Sequence, residues 1–272
     1  RVVAQGIELS SNGTPFYVLC SPNGSYMSAP SWYHNFKYIK EQERGLAALE
    51  DLYCPGSFTF ELKPHESCML LCSLELEKNF SFKRIADKEK DRLAELLSVA
   101  GVLNIAKDEQ WAHNFWAQLV LAADQFLVKK PNERQTIIAG YHWFEDWGRD
   151  TFISLPGLCL ATGQYQKAKD VLSGFAPFIK NGMVPNYINP DGTASYNSID
   201  ASLWYIHAVY KYVQYTKDVK TLEKLYPYLV QIIDAYINGT AYSIKQDWDH
   251  LLATGPEGAQ LTWMDAKTDH VI

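Results

Sequence analysis

No apolar run in the chain reaches the length needed to cross a bilayer, and its start shows no basic stretch leading into the apolar core of a secretory leader. Neither a membrane-spanning run nor a signal-peptide pattern is read from this sequence. Positive charge is not in excess: 25 Lys and Arg stand against 31 Asp and Glu, a net charge of −6. That balance argues against nucleic acid or an anionic membrane as the main partner and favours a neutral or cationic ligand. Cysteine is sparse and unpatterned. Cys20, Cys54, Cys68, Cys72 and Cys159 are odd in number and lack the paired spacing of a zinc site. Reduced thiols of a cytoplasmic protein are expected, with no disulfide framework, metal or other cofactor. The chain also lacks an initial methionine, and Ile272 closely follows a motif-like segment, so both ends are expected to be cut.

What the chain does have is aromatic side chains, 14% of its residues, beside 21% charged ones, a balance of ordered globular proteins. At 272 residues it can bury a large core, as one large domain or two unequal ones. The densest cluster is Tyr141-His142-Trp143-Phe144-Glu145-Asp146-Trp147-Gly148-Arg149-Asp150, where four aromatic rings alternate with three carboxylates and one guanidinium. A hydrophobic core would use the rings but would have to bury the charges in pairs. A sugar suits both, because its C–H faces lie on indole rings while its hydroxyls take charge-assisted hydrogen bonds from Asp and Arg. The segment is a candidate carbohydrate site. Its competing reading is a buried structural Arg–Asp pair beside core tryptophans.

Composition shifts near residue 80. Before it, Pro15–Cys20, Ser57–Leu62 and Met69–Leu74 read as short strands, separated by turn signals such as Asn12-Gly13 and Pro55-Gly56. A β-sandwich or meander is expected there. From about Phe82 the apolar period becomes helical, with Trp111, Phe115, Leu119 and Phe126 marking one helix. Further helices are predicted at about 150–161, 165–179, 198–215 and 222–237. In the Ser198 helix, Ile199, Leu203, Ile206, Tyr210 and Val213 form an apolar stripe behind Asn197 as N-cap, and Asp200, Trp204 and His207 share a second, polar face. Loops at Gly163, Asn181-Gly182 and Gly239 separate what read as paired helices.

Three loops carry the chemistry. Besides the aromatic cluster, which opens a helix that Asp150 could cap, there is Asn186–Gly192 leading to Asn197 and Asp200. As a turn, Asn186–Gly192 needs no function at all. The third is Glu257–Lys267, where Asp265 lies between a tryptophan and a lysine, neighbours able to move a carboxyl pKa in opposite directions. Glycoside hydrolysis needs one carboxyl group that is protonated and a second carboxylate that activates water or attacks carbon. Asp265 could be the first, and an ordinary surface Asp beside Lys is the alternative.

The runs Ala139–Thr151, Asn197–Trp204 and Leu261–Lys267 resemble the amylo-α-1,6-glucosidase part of glycogen debranching enzymes of the bacterial and archaeal type. The helix Leu119–Phe126 and the upstream Glu43–Leu46 and Glu50–Leu52 are also similar, so the resemblance covers nearly the whole chain in the family's order. It implies a mainly α fold: an (α/α)6 barrel like that of glucoamylase, incomplete here over residues 81–272, preceded at 1–80 by the end of a β-rich, β-sandwich-like domain.

The resemblance also implies roles. Arg149 and Asp150 match an Arg-Asp pair that holds hydroxyls of a non-reducing terminal glucose, with Trp143 and Trp147 as walls. Asp265 matches the general acid. Asn197, Asp200, Trp204 and Trp263 would line the same cleft. The general base lies beyond Ile272, so an inverting hydrolase of α-1,6-linked glucose is implied whose fragment is itself inactive. Glycogen, a limit dextrin or a malto-oligosaccharide is the implied partner. An α-glucan-binding module without catalysis is the alternative, and a helical scaffold for protein partners would leave the aromatic-carboxylate loops unexplained.

Overall fold

The structure, a computed structural model, describes residues 1–3, 5–11, 13–21, 24–76, 81–105, 109–130, 133–141, 144–189, 191–255 and 259–264. About 45% of it is helical, with several small sheets. Two compact units divide it, Arg1–Lys90 and Asp91–Ile272.

The first unit is built of antiparallel strands. β1 (Val2–Val3), β2 (Gly6–Ser11), β3 (Thr14–Cys20) and β6 (Leu70–Ser73) form a four-stranded sheet in the order β1-β2-β3-β6. The β2–β3 register ends at Ser11↔Thr14, and Gly13 before β3 has φ +82°. Ile7, Leu19 and Cys20 are its buried apolar residues. A second sheet is a long ribbon of β4 (Gly24–Lys37) and β5 (Leu49–Phe60), closed over the short helix α1 (Ile39–Glu43). The sequence patterning finds only the end of β5 at Ser57 and misses the rest, because Pro30 and Asn35 interrupt the alternation. The ribbon absorbs them in register shifts between Ser28 and Ser31 and between Tyr33 and Phe36, with Asn35 at φ +57°.

The second unit is helical. α2 (Phe82–Val99) leads into it, followed by α3 (Gln110–Gln125), the hairpin β7 (Leu127–Lys129) with β8 (Gln135–Ile137), and α4 (Gly148–Leu155). Pro156 has no N–H for the next α-helical bond, and the chain continues as a π-helical turn, Pro156–Leu160, with Ala161 N donating to Pro156 O. α5 (Tyr165–Phe175), the hairpin β9 (Tyr187–Ile188) with β10 (Ala194–Ser195), α6 (Asp200–Thr216), α7 (Val219–Asn238) and the hairpin β11 (Lys245–Gln246) with β12 (Leu252–Ala253) complete the described elements. Phe152 of α4 is the hub of the core. Its ring meets those of Phe175 and Tyr205 edge-on at 4.9 and 5.0 Å, favourable quadrupole geometry, and all three are fully buried.

Helix positions follow the sequence pattern, but two faces and two caps do not. α6 buries Ala201, Ser202, Tyr205, Ala208, Val209 and Tyr212, whereas Leu203 and Tyr210 of the expected stripe are exposed. Small residues let α4 approach α6 closely, and tyrosines bury their rings once the hydroxyl is bonded, as Tyr205 is to Leu172 O at 3.0 Å. α3 turns Trp116, Val120 and Ala123 inward and leaves Trp111, Phe115 and Leu119 outside. Here the period was right and the phase wrong, because a large ring counts as apolar whichever way it faces. Asn197 caps nothing. Ser198 does so, its Oγ accepting from Ala201 N at 3.1 Å. Asp150 lies inside the first turn of α4 rather than at its cap, where its charge still suits the helix dipole.

Candidate functional site

Backbone hydrogen bonds join the three sequence motifs. Trp147 forms an antiparallel bridge with Tyr187, and Gly148 N donates to Asn186 O at 2.9 Å. A side chain at Gly148 would place its Cβ 2.2 Å from Pro185 O, so only glycine allows this approach of the first motif to the second. Ile199 N, at the start of α6, donates to Leu261 O at 2.8 Å and so ties the second motif to the third. Asn189 N donates to Thr193 O, and Asp191 accepts from Thr193 N and Oγ1. These bonds hold the Asp191 carboxyl below its ordinary pKa. Its work is turn formation.

The ion pair at the centre is not the one adjacent in sequence. Arg149 is buried and its Nε donates to Asp200 Oδ2 at 2.7 Å, while Asp150, one residue on, is exposed. Ser198 Oγ donates to the other oxygen of Asp200 at 2.6 Å. The helix starts of α4 and α6 thus share one charge-assisted network. Beside it, Trp147 packs its ring on that of Tyr187, with centroids 5.0 Å apart. Ala139, Phe144, Trp147, Arg149, Asp150 and Trp263 line a cleft of about 380 Å³. That volume is at the small end of ligand sites, which run from about 300 to 1,000 Å³. Two indoles on an exposed cleft, a carboxylate at its mouth and a buried guanidinium behind them can stack one sugar ring and bond its hydroxyls.

The structure brings Trp147, Arg149, Asp150 and Trp263 to this cleft and connects Asp200 to it through Arg149. Asn197 is exposed and its side chain meets no partner among the described residues, and Trp204 instead meets His207 edge-on at 5.5 Å. Trp143 and Asp265 lie outside the described residues, as does His142. Sequence reasoning missed Tyr187 and Ser198. Tyr187 could have been found by alternation through Asn186-Tyr187-Ile188, where its neighbours face the other way. Among the described residues no group of three His, Cys, Asp or Glu could hold a metal. Burial pushes the Cys159 thiol up to about 12, so it remains protonated and is no nucleophile. No described helix is long and apolar enough to cross a membrane.

The helices and the aromatic, carboxylate-edged cleft lie within the stretch that comparison with known proteins assigns to a family. Residues 121–272 match the family described as amylo-alpha-1,6-glucosidase, and residues 3–69 match the family described as glycogen debranching enzyme N terminal. The chain belongs to the amylo-alpha-1,6-glucosidase family. It is also similar to the glycogen debranching enzyme of Saccharomyces cerevisiae (strain ATCC 204508 / S288c), 37% identical over 92 residues, which are 34% of this chain. The matched stretch spans 6% of that relative's length.

Proposed function

We propose that the chain is the terminal-glucose-binding part of a glycogen-debranching α-1,6-glucosidase. The observation that carries this is the Trp147–Trp263 cleft over the Arg149–Asp200 pair, reached by three motifs that lie far apart in sequence. In this reading Arg149 and Asp150 hold hydroxyls of a non-reducing terminal glucose, with Trp143, Trp147 and Trp263 around the ring. Asp200, at the start of α6, supports the cleft through Arg149, and Asn197 and Trp204 belong to the same motif outside the cleft's lining. Asp265 protonates the α-1,6 glycosidic oxygen, and a base outside this sequence activates water, the two carboxyl groups standing roughly 6.5–9.5 Å apart as inversion requires.

The same reading takes residues 81–272 as the first part of an (α/α)6 barrel and residues 1–80 as the end of a β-rich domain. Support comes from the succession α3 to α7 with short hairpins between helices, and from the sheets of the first unit. Glycogen, a limit dextrin or a malto-oligosaccharide is the ligand. A cytoplasmic setting fits the buried free thiols of Cys20 and Cys159. The test is Asp265→Asn in the complete enzyme: glucose release from limit dextrin disappears while dextrin binding persists. Undiminished release would remove Asp265 as the acid. Binding without hydrolysis in the unaltered complete enzyme would leave glucan binding as the function.

A further inference from the structure

We propose that Asp146 is the positioning residue for the cleft wall, holding Trp147 and Arg149 in place without touching the sugar. This rests on the reading of the cleft as a glucose site. Of the three carboxylates in the aromatic cluster, Asp150 is exposed, Glu145 is half-buried and Asp146 has no exposed surface. A buried carboxylate persists only where cations and donors compensate its lost hydration. Among the described residues its partners come from the β7–β8 hairpin. Arg134 Nη2 donates to Oδ2 at 2.5 Å, Thr136 Oγ1 donates to the same oxygen at 3.2 Å, and Lys130 Nζ stands 3.3 Å from Oδ1 as an ion pair.

The anchor is itself braced. The Arg134 guanidinium lies over the rings of Phe175 and Phe178 at 5.2 and 5.6 Å. Lys130 also pairs with Glu145. Burial alone would lower the Lys130 pKa, but Glu145 and Asp146 outweigh it and hold the group above its ordinary value. Glu145 O accepts from Ala139 N at 2.9 Å, fixing the entry to the segment.

The next residue is where the anchor acts. Trp147 is extended, with φ −94° and ψ 131°, so successive side chains point to opposite sides. Asp146 goes into the body of the unit and Trp147 goes to Tyr187 and the cleft. Gly148 then bonds Asn186, and Arg149 bonds Asp200. Four consecutive residues are therefore fastened in turn to the hairpin, to Tyr187, to Asn186 and to α6. Asp146 supplies the attachment on the side away from the ligand.

A double-mutant cycle tests this, with isomaltose binding followed by calorimetry on the whole chain. Asp146→Asn is expected to weaken binding at least tenfold, and Trp147→Ala likewise. The double variant should bind no worse than Trp147→Ala alone, because one acts through the other. Asp218→Asn is the control. It removes another networked carboxylate of this unit, bonded to Lys169, Tyr212 and Thr221, and should lower the melting temperature without changing affinity. Should Asp146→Asn fail to fold, Thr136→Val removes one partner of the same carboxylate and should show a smaller loss with the same non-additivity. Additive losses, or unchanged affinity in a folded Asp146 or Thr136 variant, would overturn the proposal. If the unaltered chain binds no sugar, the functional reading fails, and hydrogen exchange at the Gly148 amide decides the positioning role alone. Faster exchange in Asp146→Asn or Thr136→Val than in Asp218→Asn supports it, and equal exchange refutes it.

Discussion

Replacing Arg149 with alanine separates a working ion pair from an ornamental one. Its Nε lies 2.7 Å from Asp200 Oδ2, and the two side chains retain only 10% and 18% of their exposure. With an effective dielectric near 20, the attraction at this distance is roughly 6 kcal/mol, most of it offset by the desolvation of both ions. The effect of Arg149→Ala is set by what is left behind, a carboxylate without its cation. Stripping one member from a fully buried pair costs about 3–5 kcal/mol. Asp200 keeps the Ser198 hydroxyl at 2.6 Å and some access to water, so about 2–3 kcal/mol is expected. For a unit of this size that lowers the melting temperature by about 4–12 °C. Thermal unfolding followed by circular dichroism would measure it. Removing Asp200 as well, in Arg149→Ala with Asp200→Ala, should recover part of the loss, because no charge is then stranded. A single variant that melts within a degree of the unaltered chain would refute the reasoning, as would a double variant showing the full sum of both losses.

Other perturbations probe the scaffold. Gly148→Ala drives a Cβ to 2.2 Å from the Pro185 carbonyl oxygen and should destabilise by about 3 kcal/mol or more in urea unfolding, since backbone must move. Phe152→Ala empties the hub between Phe175 and Tyr205 and should lower stability by about 3–5 kcal/mol in the same assay. Acid should loosen the second unit through Asp124 and Asp218. Burial raises the Asp124 pKa, but bonds from Arg92 and Lys167 outweigh it and lower the value below 3.8; Thr221 leads the groups that lower that of Asp218. Carboxylates with depressed folded values add stability above their unfolded pKa and lose it as pH falls through the folded one. Melting temperature should therefore fall steeply below about pH 4, and Asp124→Asn should flatten that part of the curve.

The helices from α3 to α7 were legible because each carries a 3.6-residue apolar period, and Gly163, Asn181-Gly182 and Gly239 mark breaks beyond α4, α5 and α7. Which face turned inward was less so. Trp111 and Phe115 are exposed while Ala201 and Ala208 are buried, because close helix approach selects small residues that a hydrophobicity pattern underrates. β4 escaped because bulges at Pro30 and Asn35 shift its alternation twice along the strand. At the candidate site, sequence located the motifs but not their pairings. Adjacency suggested Arg149 with Asp150, yet successive residues on a helix diverge by about 100°. Arg149 turns inward to Asp200, 51 positions away, a contact that only the packing of α4 on α6 creates.

In the proposed function the Trp147–Arg149–Trp263 cleft takes one terminal glucose. Titrating the chain with isomaltose and with malto-oligosaccharide, following tryptophan fluorescence beside the Trp147→Ala variant, tests it most directly. A saturable change in the unaltered chain, lost in the variant, is expected. No change with either sugar, or an identical titration in Trp147→Ala, would contradict it.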